Sequence, residues 1–239
     1  MRVHLVHAHP EPNSFVSAMR DVVIDELKAA SAVITICDLY RDDFNPVLSG
    51  NDFISRSRPD YLVYTLEQRH GYTNATLASD VAREAENVLA ADLIVFTFPI
   101  FWFSVPAILK GWIDRVLLCG PMHSGNRGFY DLGGLSGRRT FTAMALGGRR
   151  NMFGPDSLHG ELETGMMRHF FQGTLGYVGL TVHKPFVAYH VPYITDHERQ
   201  EQLQDLRIHL RDLDRQPTLK FPELGNFGDV LTPKRDRAR

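Results

Sequence analysis

The chain has 239 residues, 44% hydrophobic and 23% charged, with a formal net charge of −2. This is the composition of an ordinary globular protein, and the near balance of charge gives no reason to expect nucleic acid or another polyanion as a partner. Its two cysteines, Cys37 and Cys119, lie far apart and outside any CxxC pair, which argues against a disulfide framework and a structural zinc site.

The opening run Met1-Arg2-Val3-His4-Leu5-Val6-His7 is too short and too polar for the apolar core of a signal peptide, and no apolar stretch approaches the roughly 18 residues of a membrane span. A reducing, cytoplasmic setting is therefore expected. Val3 to His7 reads as a first strand, followed by a Pro/Asn turn and a helix from about Ser14 to Ala30. Val33 to Cys37 is a second strand. Asp42 to Asp80 reads as a long, partly helical excursion with one apolar-rich patch, Tyr61 to Leu66.

Leu93 to Phe98 is almost continuously apolar, as a central parallel strand covered on both faces would be. Thr140 to Leu146 and Thr181 to Val191 complete a set of five strands separated by helical patterns. Such alternation predicts right-handed βαβ units and a doubly wound α/β fold with a parallel sheet. The expected organisation is one catalytic domain over residues 1–213 and a C-terminal extension over 214–239. Within that extension, Lys234 to Arg239 reads as a solvated tail.

Ligands of such sheets bind beyond the carboxyl ends of the strands, where the strand order reverses. That directs attention to three segments. In Ala8-His9-Pro10-Glu11-Pro12-Asn13-Ser14-Phe15, Ser14 can cap the following helix, whose positive end suits a phosphate; a plain helix cap with two turn prolines is the other reading. Neither GxGxxG nor a P-loop lysine is present. In Phe98-Pro99-Ile100-Phe101-Trp102-Phe103-Ser104, three successive aromatics cannot all enter one core, so they either offer a stacking face to a flat ring or cap the sheet. In Leu146-Gly147-Gly148-Arg149-Arg150-Asn151-Met152-Phe153, the glycine pair permits close backbone approach to a ligand. Farther on, His159 either stabilises negative charge or serves as a structural hydrogen-bonder.

No metal is expected. Strand alternation puts His4 and His7 on opposite faces, and no carboxylate or cysteine completes a ligand set with them and His9. A serine hydrolase is disfavoured because no GxSxG elbow occurs.

These three blocks resemble the flavin-dependent NAD(P)H:quinone oxidoreductases of the DT-diaphorase type. The first block is Ala8-His9 with Ser14-Phe15 and Ala18-Met19. The second is Phe98-Pro99 with Trp102-Phe103 and Val105-Pro106-Ala107-Ile108-Leu109-Lys110-Gly111-Trp112, and the third is Gly147-Gly148 with Met152 and Leu158-His159-Gly160. The order agrees from about Arg2 to Leu210. The resemblance implies a flavodoxin-like fold, a homodimer with active sites at its interface, and ping-pong hydride transfer through a flavin.

Carried over by motif, His9, Ser14, Phe15, Val16 and Ala18 would hold the pyrophosphate and ribityl side. Pro99, Ile100, Phe101, Trp102, Phe103, Ala145, Leu146, Gly147, Gly148 and Phe153 would surround the isoalloxazine. The adenosine end would fall near Val191, Arg199 and Leu203, with Asp114 reaching in from the other subunit. FAD is accordingly expected in preference to FMN, with NAD(P)H as donor. Trp102, Phe103, Phe129, Met152, Phe153 and His159 would line the space for nicotinamide and for a quinone, or for a nitro or azo aromatic.

Two positions depart from the family pattern. Phe153 stands where family members carry a tyrosine that works with the histidine, and the tyrosine pair before Phe129 is replaced by Pro121-Met122-His123-Ser124-Gly125-Asn126-Arg127-Gly128. Two other classes of function are compatible with the fold. One is a flavin-binding ancillary subunit of a transporter, and the other is an electron carrier of the flavodoxin kind.

Overall fold

The computed structural model of the chain describes residues 1–228 and 231–234. Strands β1 (Arg2–His7), β2 (Val33–Asp38), β3 (Leu93–Pro99) and β4 (Arg139–Ala145) form a parallel sheet in the order β2-β1-β3-β4. The expected fifth strand is two short ones, β5 (Thr181–Val182) and β6 (Phe186–Ala188), both paired with β4. Lys184-Pro185 separates them: proline has no N–H for the ladder, and the Lys184 amide bonds instead to Pro217 O at 2.8 Å.

β3 is buried along its whole length, as its apolar run requires. Its alternate side chains serve two cores. Leu93 and Val95 join Val3, Leu5, Phe141 and the inner faces of α1 (Phe15–Ala29) and α6 (Asp196–Arg211). Ile94, Phe96 and Phe98 pack against α3 (Ser79–Ala90), α4 (Ala107–Val116) and the segment around α5 (Arg168–Phe170). Each fully buried Phe or Leu in these layers contributes about 2 kcal/mol. The sheet order reverses at β1, whose neighbours β2 and β3 lie on opposite sides, so the ends of β1 and β3 open onto the crevice.

The excursion after β2 contains a short 3₁₀ turn, Gly50–Asp52, and helix α2 (Tyr64–Thr73). Buried Arg115 of α4 fastens it. Its guanidinium bonds to Asp52 at 2.7 Å, Asp80 at 2.7 Å and Asn45 O at 2.8 Å, and lies 5.0 Å from the Phe44 ring centroid. Gly111 permits the close approach of this segment to α4, because a Cβ there would sit 2.1 Å from Pro46 O.

From Pro217 the chain returns along the sheet edge, with Leu219 N donating to Val182 O at 2.8 Å. The Phe221 ring then packs onto Gly176. Of the charged run expected as a solvated tail, only Lys234 falls within the described residues; 235–239 lie outside them.

Candidate active site

The first wall is the loop from β1 into α1. Ser14 is the N-cap, its Oγ accepting from Ser17 N at 3.1 Å, so the expected cap is formed. The first amides of a helix have no intrahelical acceptor, which leaves those of Phe15 and Val16 for solvent or an anion. Within the loop, Glu11 N donates to His9 Nδ1 at 3.0 Å, which puts the proton of a neutral His9 on Nε2. Burial lowers the His9 pKa below its ordinary value, against the raising effect of the Glu11 carbonyl and carboxylate.

His4 and His7 do lie on opposite faces: His4 bonds to Glu84 of α3, and His7 to Ser17 of α1. Among the described residues no cluster of His, Cys, Asp and Glu is arranged to hold a metal.

The second wall follows β3. Ile100 N bonds to Ala145 O at 2.8 Å, and Phe101 and Ser104 exchange two backbone hydrogen bonds of 2.9 and 3.1 Å across a two-residue turn. Its central residues are Trp102 (φ 52°) and Phe103 (φ 54°), both left-handed. Asn-Gly is the ordinary choice for such a turn, and a bulky side chain there costs on the order of 1–2 kcal/mol per residue. The strain keeps Trp102 97% exposed at the mouth of the crevice, with Phe103 beside it.

The third wall follows β4. Gly147 and Gly148 have ordinary negative φ, so left-handed geometry is not what glycine supplies here. At Gly148 the reason is crowding: a Cβ would meet Leu146 Cδ1 at 3.0 Å and Phe153 Cε2 at 3.1 Å. The carbonyls of both glycines are engaged by His190, through its ring Nδ1–H at 3.0 Å and its backbone amide at 2.9 Å. Their amides have no acceptor among the described residues. The loop beyond folds back through His159 N to Met152 O at 2.9 Å, setting the imidazole beside Phe103 and Phe153.

The second and third walls border a cavity of about 290 Å³ lined by Ile100, Trp102, Phe103, Leu146, Gly147, Gly148, Phe153, His159 and Leu162; no residue of the first wall lines it. Eight of the nine were expected from the sequence. Leu162 was not, because a leucine after a loop carries no signal of which cavity it borders.

Other expected residues lie apart. Met152 Sδ accepts from Arg149 N and does not line the cavity. Phe129 stacks on Tyr177 at 5.2 Å with the rings 9° from parallel, in an aromatic group with Tyr130 that reading the sequence did not suggest. Asp114 is held by Lys110 Nζ at 2.6 Å and borders a separate groove with Tyr64, Gln68 and Tyr177. Val191 and Leu203, like Phe15, are partly buried and pack against the α1 core, and Arg199 donates to Val191 O at 3.2 Å.

Comparison with known proteins gives the family and the fold. The family model for a flavodoxin-like fold matches residues 1–210. Ribosyldihydronicotinamide dehydrogenase [quinone] of Mus musculus is 35% identical over 217 residues, covering 89% of this chain and 91% of that protein. The chain belongs to the flavodoxin-like quinone dehydrogenases. Another member of this family, NAD(P)H dehydrogenase [quinone] 1 of Rattus norvegicus, is 30% identical over 92% of this chain and 80% of its own. Among solved structures, a Klebsiella pneumoniae protein provisionally named a quinone reductase superposes with a TM-score of 0.91 at 28% identity, covering 98% of this chain and 94% of its own.

Proposed function

We propose that this chain is an NAD(P)H:quinone oxidoreductase working by a ping-pong exchange through a bound flavin, FAD by our reading. The observation that carries it is the cavity at the strand ends, where two glycine amides without an acceptor among the described residues and one imidazole share a lining with Trp102, Phe103 and Phe153. This fits a flat, apolar ring with a polar edge. A flavin would supply the capacity to take a hydride as an electron pair and yield the pair to an acceptor at the same ring.

The protein's own residues bind and orient. The first amides of α1, with Ser14 and His9, would hold the phosphate end, and Phe15, Val16 and Ala18 form the adjoining turn. Ile100, Trp102, Phe103, Leu146, Gly147 and Gly148, which line the cavity, would hold the ring, with Pro99, Phe101 and Ala145 next to them in the chain. The glycine amides and a His159 ring N–H are preorganised donors for negative charge arriving at the ring, so they stabilise the transition state more than the ground state. Val191, Arg199 and Leu203 would take the adenosine end; Val191 and Leu203 pack against the same core cluster as Phe15, which is the basis for preferring FAD.

A homodimer belongs to the same reading. Phe129, Tyr177 and Asp114 lie outside their own chain's cavity, where a second copy can use them, and Leu48, Ile54, Tyr61 and Leu66 are large apolar side chains left exposed. Quinones are the proposed acceptors, with nitro and azo aromatics as secondary ones. Among the described residues no helix is long and apolar enough to cross a membrane.

The test is to purify the full chain, identify the released flavin by mass, and measure oxidation of NADH, NADPH and ribosyl-dihydronicotinamide with a soluble quinone. Rapid quinone-dependent turnover with FAD released supports the proposal. Flavin bound with negligible turnover would instead make this an ancillary flavin subunit.

A further inference from the structure

Beneath the phosphate loop lies a polar network that the proposed reaction does not use. His7, at the carboxyl end of β1, is 1% exposed, and β3 places Thr97 beside it. His7 Nδ1 lies 2.8 Å from Thr97 Oγ1 and Nε2 lies 3.3 Å from Ser17 Oγ in the first turn of α1. Ser17 Oγ is also 3.0 Å from Glu11 O and 3.0 Å from Ser14 Oγ.

Proton counting fixes the directions. A carbonyl oxygen only accepts, so the single Ser17 hydroxyl proton goes to Glu11 O. Ser17 Oγ can then only accept from His7, which must carry its proton on Nε2. The Nδ1 atom accepts in turn from the Thr97 hydroxyl. Burial, with the nearby Arg20 guanidinium, lowers the His7 pKa to about 4 against the opposing pull of Asp38, so the ring is neutral at ordinary pH.

The consequence appears at the loop surface. Glu11 O is turned inward by two donors, Ser17 Oγ and Ser14 N at 3.2 Å, so its negative end faces away from an arriving anion. Because the Ser17 proton goes to Glu11 O, the Ser14 hydroxyl is the donor of the Ser14–Ser17 pair, and Ser17 Oγ accepts from both His7 and Ser14. The Glu11 carbonyl is thus held inward, and the first amides of α1, at Phe15 and Val16, are the donors presented beside it.

We propose that His7 is a positioning residue which, through Ser17, sets the donor polarity of the 9–14 loop for the phosphate of a flavin nucleotide. This rests on the flavin reading above. His7 does not touch the ligand; it orients the groups that do.

The experiment strips flavin from the full chain and titrates it with FMN, FAD and riboflavin, followed by quenching of flavin fluorescence. In His7→Leu, FMN and FAD should bind about tenfold more weakly, the scale of one hydrogen bond to a charged group, while riboflavin stays within about twofold. His7→Gln restores an N–H toward Ser17 and should recover most of the loss. Ser17→Ala should show the same selective loss, and adding it to His7→Leu should cost little more, because both act on one path. Should His7→Leu fail to fold, Ser17→Ala carries the test alone. Equal weakening of FMN and riboflavin would make His7 a plain packing residue and overturn the inference, as would parental affinity for both. If the parent chain binds no flavin at all, the flavin reading itself fails and the inference falls with it.

Discussion

The imidazole of His159 lies 5.0 Å, centroid to centroid, from the ring of Phe103, tilted by 57°. The Phe153 ring is 5.2 Å away on another side. Two phenyl rings thus position the histidine at the cavity wall, and neither has a hydroxyl with which to share its work. His159→Ala should slow reduction of the bound flavin by NADPH at least tenfold in stopped-flow, since losing one preorganised donor costs on the order of 3 kcal/mol. Flavin affinity should change little. Phe153→Tyr should leave the rate unaltered or raise it.

The turn at Trp102 and Phe103 holds two bulky residues in left-handed conformations. Replacing the pair by Asn-Gly should raise stability by roughly 1–2 kcal/mol in urea unfolding, because those residues adopt left-handed conformations readily. Quinone reduction should fall in the same variant, for the aromatic face is lost. A variant that becomes more stable and keeps full activity would show that the aromatics only cap the sheet.

Arg115 is the tie between α4 and the excursion after β2. Arg115→Met leaves Asp52, itself buried, without its cation and should lower stability by about 3–5 kcal/mol. Asp80, which is more exposed, should tolerate Asp80→Asn far better. Thermal unfolding of the two variants compares them directly.

Acid stability should fall in two windows. His7 has an ordinary pKa of 6.5 and a folded value of about 4, so between those values the unfolded chain takes up a proton that the native state refuses. Stability therefore declines as pH drops from 6.5 to about 4, and His123, His183 and His209, lowered by burial, add to the same slope. At Glu84 burial pushes upward, but hydrogen bonds from His4 and Trp112 outweigh it and lower the value from 4.5 to about 2. Its contribution is lost over that lower window. His7→Gln should flatten the upper window of the urea midpoint against pH by about one proton's worth, and leave the lower window intact.

The β1, β3 and β4 strands and the three loops after them were legible because each announces itself locally. A continuous apolar run means a doubly covered strand, a serine before an amphipathic run means a cap, and an aromatic triplet after a strand has too few cores to enter. The break in the fifth strand was not read, although Pro185 marked it. The His7 network was hidden for a different reason: its members come from β1, β3 and α1, and only the pairing of His7 with Thr97 brings them together. The Phe129 and Tyr177 stack is likewise a long-range contact with no local sign.

The central claim is two-electron transfer from a reduced nicotinamide to a quinone through one bound flavin. Its most direct test is an anaerobic titration of the flavin-loaded chain with NADPH, followed by one equivalent of a soluble quinone. The account predicts that the yellow absorbance bleaches with one equivalent of donor, without a one-electron radical band, and returns in full when quinone is added. A flavin that NADPH leaves oxidised, or one that accumulates a stable radical and does not return with quinone, would contradict it.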